Sequence, residues 1–323
     1  MRKNVRFAAL AMALLMVLGM VGGAAAEAPK VRVALILEGA ISDMSWNATA
    51  YNGLKKIEAL GAEIKYVENI PASSVADAIR TFGDEGYDVI FLATSSFADA
   101  GAATAKEYPD TQFFFINSNV VDTNCASFAI QDVQQGFMMG ALSALLTKTK
   151  TVGFIGGLEI QPIKNGAQGF AQGVAYVDPS IKVLSQNTGS MDDVNAAKQL
   201  AKSFIGQGAD VLSPMANQAS LGVMEAAQES EGAALGIGSG LNQETVAPDA
   251  AVTAIVKDTS IAYEAAFKAY LDGTIPNEVI RMGAAQGVVY IGEYYIDVPA
   301  EVKAQLEDIY AKLAAGEITI TLE

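Results

Sequence analysis

Histidine is absent from the 323 residues, and cysteine occurs once, at Cys125. Those two scarcities exclude most zinc sites, the Ser-His and Cys-His nucleophile systems, and any disulfide within the chain. Cations are also scarce, with 21 Lys and Arg against 36 Asp and Glu and a formal net charge of −15. A nucleic acid partner is not expected, because a phosphate backbone is bound by clustered Lys and Arg. No Walker loop, metal-ligand spacing or G-x-S-x-G motif occurs. The glycine-rich run Gly236-Ile237-Gly238-Ser239-Gly240 lacks the G-x-G-x-x-G spacing of a nucleotide loop. No pattern nominates a carboxylate pair for glycoside hydrolysis. No cofactor is implied, and no enzyme is nominated. What remains is 51% hydrophobic and 18% charged, a globular composition with length for two packed domains.

The amino terminus carries an address. Arg2, Lys3 and Arg6 form a basic region, an uncharged apolar stretch follows, and Ala24-Ala25-Ala26 supplies the small residues at which a signal peptidase cuts. Residues 1–26 are expected to be a signal peptide; the other reading, an uncleaved anchor, has an apolar core short for a spanning helix. Cys125 stands far too late for the cysteine that follows a lipoprotein signal. The expectation is therefore a protein exported to the periplasm, without a lipid anchor of that kind.

Beyond the leader, hydrophobic patterning alternates between two periods. Residues 31–37 (VRVALIL) form an apolar, β-branched run suited to a strand buried on both faces. Residues 45–60 place Trp46, Ala50, Leu54 and Ile57 at helical spacing before Gly61, a helix stop. Strands are predicted at 62–67, 87–93 and 112–116, and helices at 73–82 and 99–107. After a helix at 134–146 a second set begins. Its strands lie at 151–155, 183–186, 210–213 and 234–237, and its helices at 165–177, 194–205 and 221–230. A strand at 252–256, a helix at 261–271, strand-like pieces within 278–296 and a last helix at 299–314 complete the chain. Such alternation implies parallel sheets flanked by helices, hence two Rossmann-like α/β lobes. The expected division gives 27–129 with 252–275 to a first lobe, and 130–251 with 276–323 to a second, joined by several crossings. A ligand cleft then falls between the lobes, at the carboxyl ends of the strands.

Loops at those strand ends hold the polar groups worth weighing. In EGAISDMSWN, residues 38–47, Asp43 or Ser45 can cap the next helix, while Trp46 and Asn47 stand on its first turn. An indole offers a flat stacking surface, and Asp and Asn offer directional hydrogen bonds, a combination suited to a planar polar ring. The equally open alternative is that Asp43 only caps and Trp46 only packs. Thr94, Ser95, Ser96 and Phe97 follow the third strand and serve either as a hydroxyl-rich cap or as ligand contacts. Asn117, Ser118 and Asn119 follow the fourth. The matching loops of the second half carry Met191 with Asp192 and Asp193, where a capping pair is favoured, then Met215 with Asn217, then residues 236–240.

The motifs at these places resemble one family, the basic membrane protein family of ABC-transporter substrate-binding proteins, whose members include binders of purine nucleosides. Asp43-Met44-Ser45-Trp46-Asn47 and the following Gly53-Leu54-Lys55 are similar to its D-x-S-F-N…G-L-K opening, with Trp for Phe. Tyr108-Pro109-Asp110 matches its Y-P-D. Leu145-Leu146-Thr147-Lys148-Thr149 and residues 152–157 (VGFIGG) match its L-T-K-T-x-x-V-G-F-I-G-G. Gly169-Phe170, Gly189-Ser190 and Gly208-Ala209-Asp210-Val211 extend the likeness over nearly the whole mature chain.

The resemblance implies a type I periplasmic-binding-protein fold that closes on a solute like a clamp. It assigns Asp43, Trp46 and Asn47 to a base, with Trp46 stacked on it. Lys257 matches the lysine of the family's S-V-x-K segment and reaches the base or a sugar hydroxyl. Three departures stand out. Asn117 and Gly238 replace family aspartates, and Met191 replaces the second stacking aromatic. The loss at Gly238 removes a grip on ribose hydroxyls for which Asn242-Gln243 can compensate. Ser96, Phe97 and Asn217 complete the expected ligand set. The implied ligand is a purine nucleoside or nucleobase, the implied partner an ABC transporter permease, and the expected form a monomer. Two further readings stay open: a sensor presenting its closed form to a signalling partner, and a binder of another small solute such as a vitamin or sugar.

Overall fold

The structure, a computed structural model, describes residues 30–241 and 243–322; the expected leader and Asn242 lie outside the described residues. Five strands open the chain: β1 (Arg32–Ile36), β2 (Glu63–Val67), β3 (Val89–Leu92), β4 (Gln112–Ile116) and β5 (Cys125–Ile130). Five more follow as β6 (Thr151–Gly156), β7 (Lys182–Asn187), β8 (Val211–Met215), β9 (Leu235–Gly238) and β10 (Ala251–Lys257). Two short strands, β11 (Ile280–Met282) and β12 (Val289–Ile291), come last. They form two six-stranded sheets, in the orders β11-β5-β4-β3-β1-β2 and β12-β10-β9-β8-β6-β7. Among the pairings only β10 with β12 is antiparallel.

Side-chain alternation explains why these segments read as unbroken apolar runs. In β4, Phe113 and Phe115 enter the core on one face of the first sheet, while Phe114 and Ile116 enter the core on the other. Val33 and Leu35 oppose Ala34 and Ile36 in the same way along β1. A parallel strand covered by helices on both sides has no wet face, so neither parity can be polar.

The helices supply that cover: α1 (Trp46–Ala59), α2 (Val75–Asp84), α3 (Ala98–Ala105), α4 (Asp132–Leu146), α5 (Gln161–Val177), α6 (Val194–Gly206), α7 (Ser220–Gln228), α8 (Ser260–Leu271) and α9 (Ala300–Ala314). Helices α4 and α5 pack backbone to backbone through glycines. A Cβ at Gly140 would strike the Phe170 carbonyl, and one at Gly169 the Val133 carbonyl. This close approach fixes the start of α5, which borders the cleft described below.

Three passages join the halves: β5 to β6, β10 to β11, and β11 to β12. They correct the expected division of the chain. Residues 252–257, expected with the first lobe, lie in β10 and pair with β9 in the second sheet. Residues 280–282, expected with the second, pair as β11 with β5. The chain thus crosses after strand β10, not before it. Helix α8 does join the first half, where Tyr263 and Phe267 pack in the same core as Leu54 and Ile57. Strand β5 had no predicted counterpart: its sequence CASFAI holds one β-branched residue, and it is a strand because β4 and β11 pair with it on either side.

Candidate functional site

Both halves share one winding, with β1 between β2 and β3, and β6 between β7 and β8. Reversal of direction at β1/β3 and at β6/β8 splays the loops at the carboxyl ends and opens a crevice there. A cavity of about 240 Å³ occupies that place, bordered from the first half by Glu38, Gly39, Trp46, Asn47, Thr94, Ser95 and Asn117. The second half contributes Leu158, Ile160, Pro162 and Ile163 with residues 189–192, Asn217 and Lys257.

Trp46 sits at the start of α1 with its indole N–H donating to the Ala93 carbonyl at the end of β3. That bond pins a half-buried aromatic plane at the cavity wall. The Lys257 ammonium lies 4.9 Å from its ring centroid, within cation–π range. Asn47 is buried beside it; its Oδ1 accepts from the Gly39 N–H at 3.3 Å, and one of its two amide hydrogens goes to Asp43. One amide hydrogen is left for a ligand.

Asp43 stands behind the cavity wall. Its carboxylate accepts from the backbone N–H groups of Ser45, Asn47 and Ala48 and from the Asn47 side chain, and the residue is 1% exposed. The three backbone contacts cap α1 and the fourth orients the Asn47 amide, so in this structure Asp43 holds Trp46 and Asn47 in place. Ser96 and Phe97 also fall outside the cavity lining. Phe97 is fully buried in the first-half core, and the Ser96 N–H donates to Thr94 Oγ1. The short 3-10 turn at Ser95–Phe97 turns Thr94 and Ser95 toward the cavity in their stead.

Asn117 and Asn217 end β4 and begin the turn after β8, both with left-handed backbone, φ +60° and +43°. Asparagine tolerates that region better than most residues. Asn217 lines the cavity with its side chain unpartnered among the described residues. Asn117 lines it too, but is engaged: Oδ1 accepts from the Ile130 N–H and Nδ2 donates to Asp132 at 2.9 Å. The other Asp132 oxygen accepts from Lys257 Nζ at 2.5 Å, with these side chains 2% and 12% exposed. Asp132 has no signal in the sequence, since it lies 125 residues from its partner and opens an ordinary helix. Only the passages between the halves bring β5's end and β10's end together.

Met191 borders the cavity, where its thioether accepts from the Leu158 N–H. The neighbouring carboxylates divide their labour. Asp193 caps α6 by accepting from the Ala196 N–H, while Asp192 faces the cavity. Gly238 is not at the cavity. A Cβ there would lie 3.0 Å from Gln243 Oε1, which accepts from the Ser239 and Gly240 N–H groups. The buried Gln243 thus fills the ground where the family aspartate was expected. A side chamber of about 20 Å³ lies near it, lined in part by Ser239, Gln135 and Asn217, with room for about one water.

Charge at the walls is uneven. Lys257 is neutralised by Asp132, whereas Glu38 and Asp192 have no side-chain partner among the described residues. The cavity therefore presents surplus acceptors between apolar patches from Leu158, Ile163 and Met191. Such walls offer an apolar surface and hydrogen-bond acceptors to whatever occupies the cavity. No group of three or more His, Cys, Asp or Glu side chains that could hold a metal occurs among the described residues.

Residues 30–321 match the model of the family described as ABC transporter substrate-binding protein PnrA-like. The chain belongs to that family. Basic membrane protein A of Borreliella burgdorferi is 26% identical over 93% of this chain and 89% of its own length. A purine-binding protein of Brucella abortus is 26% identical over 93% of this chain and 85% of its own. An ABC transporter solute-binding protein of Aeropyrum pernix, known from its crystal structure, superposes with a TM-score of 0.79 at 19% identity. That match covers 91% of this chain and 94% of the other, a likeness of fold. The family sets the class as a substrate-binding protein of an ABC transporter, and so an extracytoplasmic one.

Proposed function

We propose that this substrate-binding protein captures a purine nucleobase or nucleoside between its halves and hands it to a membrane permease. The observation that carries the reading is the cavity itself: a pinned indole plane, apolar patches and unpaired acceptors gathered at one place from two separate sheets. A purine has two stacking faces and an edge of N–H donors and ring acceptors, which those walls complement. The purine-binding relative from Brucella abortus supports the choice among planar solutes.

No bond is made or broken in this account. The halves act as lobes about the three passages, and a ligand touching both stabilises the closed arrangement by as much as it binds that state better. The permease then reads the closed surface. Export through a leader at 1–26 to a periplasm, and action as a monomer, complete the proposal.

The test is calorimetry on protein unfolded and refolded to strip any carried-over solute. The panel is purine bases, nucleosides, riboflavin, thiamine and simple sugars. Saturable one-to-one binding of purines, weakened by about 2 kcal/mol or more in Trp46→Ala, is the expected result. Binding of a vitamin or sugar with purines silent overturns it.

A further inference from the structure

Among the described residues that border the cavity, Lys257 is the only Lys or Arg, and its charge is already engaged. Its ammonium meets Asp132 Oδ1 at 2.5 Å, and Asp132 Oδ2 accepts from Asn117 Nδ2 at 2.9 Å. One buried carboxylate therefore holds two side-chain donors of the wall, one at the end of β10 and one just after β4. The other charges on the wall are Glu38 and Asp192, one from each half, and neither has a side-chain partner among the described residues. Asp132 stands in the first turn of α4, where a helix N-terminus favours negative charge. A buried ion pair is a poor source of stability, since an apolar pair of similar volume serves as well or better. The place of this pair, at the cavity wall, gives it another use.

We propose that Asp132 sets the charge the cavity accepts. It takes the place an anionic group of a solute would otherwise take against Lys257 and Asn117. With that place filled, Glu38 and Asp192 give the cavity a negative field, so that neutral and cationic solutes enter and anionic ones are refused. The cause is electrostatic. An ammonium paired at contact distance presents little net charge a few ångströms away, whereas a bare one on a low-dielectric wall attracts anions strongly. Pairing removes the lysine's charge from the cavity without removing its hydrogen bonds, because an ammonium carries three donors and Asp132 takes one. Asp132 is thus a positioning residue that decides specificity through Lys257. The inference concerns the charge of the solute and does not depend on its being a purine.

Trp46 supplies the readout, as the only tryptophan in the chain, with its ring centroid 4.9 Å from the Lys257 ammonium. Arg281 borders an adjoining cavity that Trp46 does not, so the indole reports on Lys257. Quenching of its fluorescence by iodide, caesium and neutral acrylamide is measured at constant ionic strength on stripped protein. The forms compared are wild type, Asp132→Asn, Lys257→Met and the double variant. Asp132→Asn is expected to raise the iodide constant about twofold or more, with the acrylamide constant unchanged. Lys257→Met should lower iodide quenching and raise that by caesium, and the double variant should return to the wild-type ratio. The single variants move in opposite directions, so either one decides if the other fails to fold. Equal iodide quenching in wild type and Asp132→Asn overturns the proposal. So does a rise that persists in the double variant, or one that acrylamide shares, which marks only a loosened wall. Calorimetry with purine-6-carboxamide and purine-6-carboxylate, neutral and anionic groups of one shape, adds a binding arm. The wild type should favour the carboxamide about tenfold or more, and Asp132→Asn should narrow that gap. A gap that Asp132→Asn leaves unchanged, or a wild type that favours the carboxylate, overturns the proposal. Silence to both purines beside the expected quenching pattern overturns the purine reading and leaves the charge selection standing.

Discussion

At the scale of single residues, the cleft is organised by groups that never need to touch a ligand. Asp43 is the example: its four accepted bonds orient Trp46 and Asn47, and its burial leaves it no other task. Asp132 is another, since its carboxylate holds Lys257 and so ties the start of α4 to the end of β10, the two places at which the chain passes between halves. Asp132→Ala strands a buried ammonium and should cost about 3 kcal/mol or more in denaturant unfolding. The double replacement Asp132→Leu with Lys257→Met should cost less than the single one, because no lone charge remains. A single variant milder than the double would show the pair is not coupled. Cys125 gives a pH-dependent check. Burial pushes its thiol up to about 11, above the value of about 8.5 usual for an unfolded chain. Its contribution to stability is thus whole below the unfolded value and is lost as pH rises toward 11. Alkylation at pH 8 should be slow in the folded protein and fast in denaturant; equal rates would contradict the burial.

At the scale of elements, what could be read in advance depended on whether the cause was local. Runs such as QFFFI at β4 and caps such as Asp193 before α6 declare themselves, because a neighbour in sequence is also the partner in space. The strand at β5 did not, since its small residues become a strand only between β4 and β11, and β11 arrives some 150 residues later in the chain. Sheet membership of β10 escaped for the same reason. Within the site, Trp46, Asn47, Asn117, Met191 and Asn217 were legible from their places after strands, whereas Lys257 was legible only through the family resemblance. Ser96, Phe97 and Gly238 were not separable from their neighbours by sequence, because a one-residue turn of the backbone decides which of them faces the cavity. The glycine seam between α4 and α5 allows a direct test. Gly140→Ala drives a methyl into the Phe170 carbonyl and should destabilise by about 1–3 kcal/mol through overpacking. A neutral effect would mean the helices sit farther apart.

At the scale of the whole molecule, two similarly wound halves meet so that each contributes one wall to a single cavity, and the chain crosses between them three times. In the proposed function that arrangement would convert binding into a change of shape, because a solute in contact with both walls would favour a closed state over an open one. The Trp46 indole is the only tryptophan in the chain and stands on the wall of that cavity. Its fluorescence, titrated with inosine on protein stripped of solute, is therefore the most direct measurement. The account predicts a saturable change at one equivalent, absent in a control with ribose alone. Calorimetric binding of inosine with no change in Trp46 emission would place the ligand elsewhere and contradict the account.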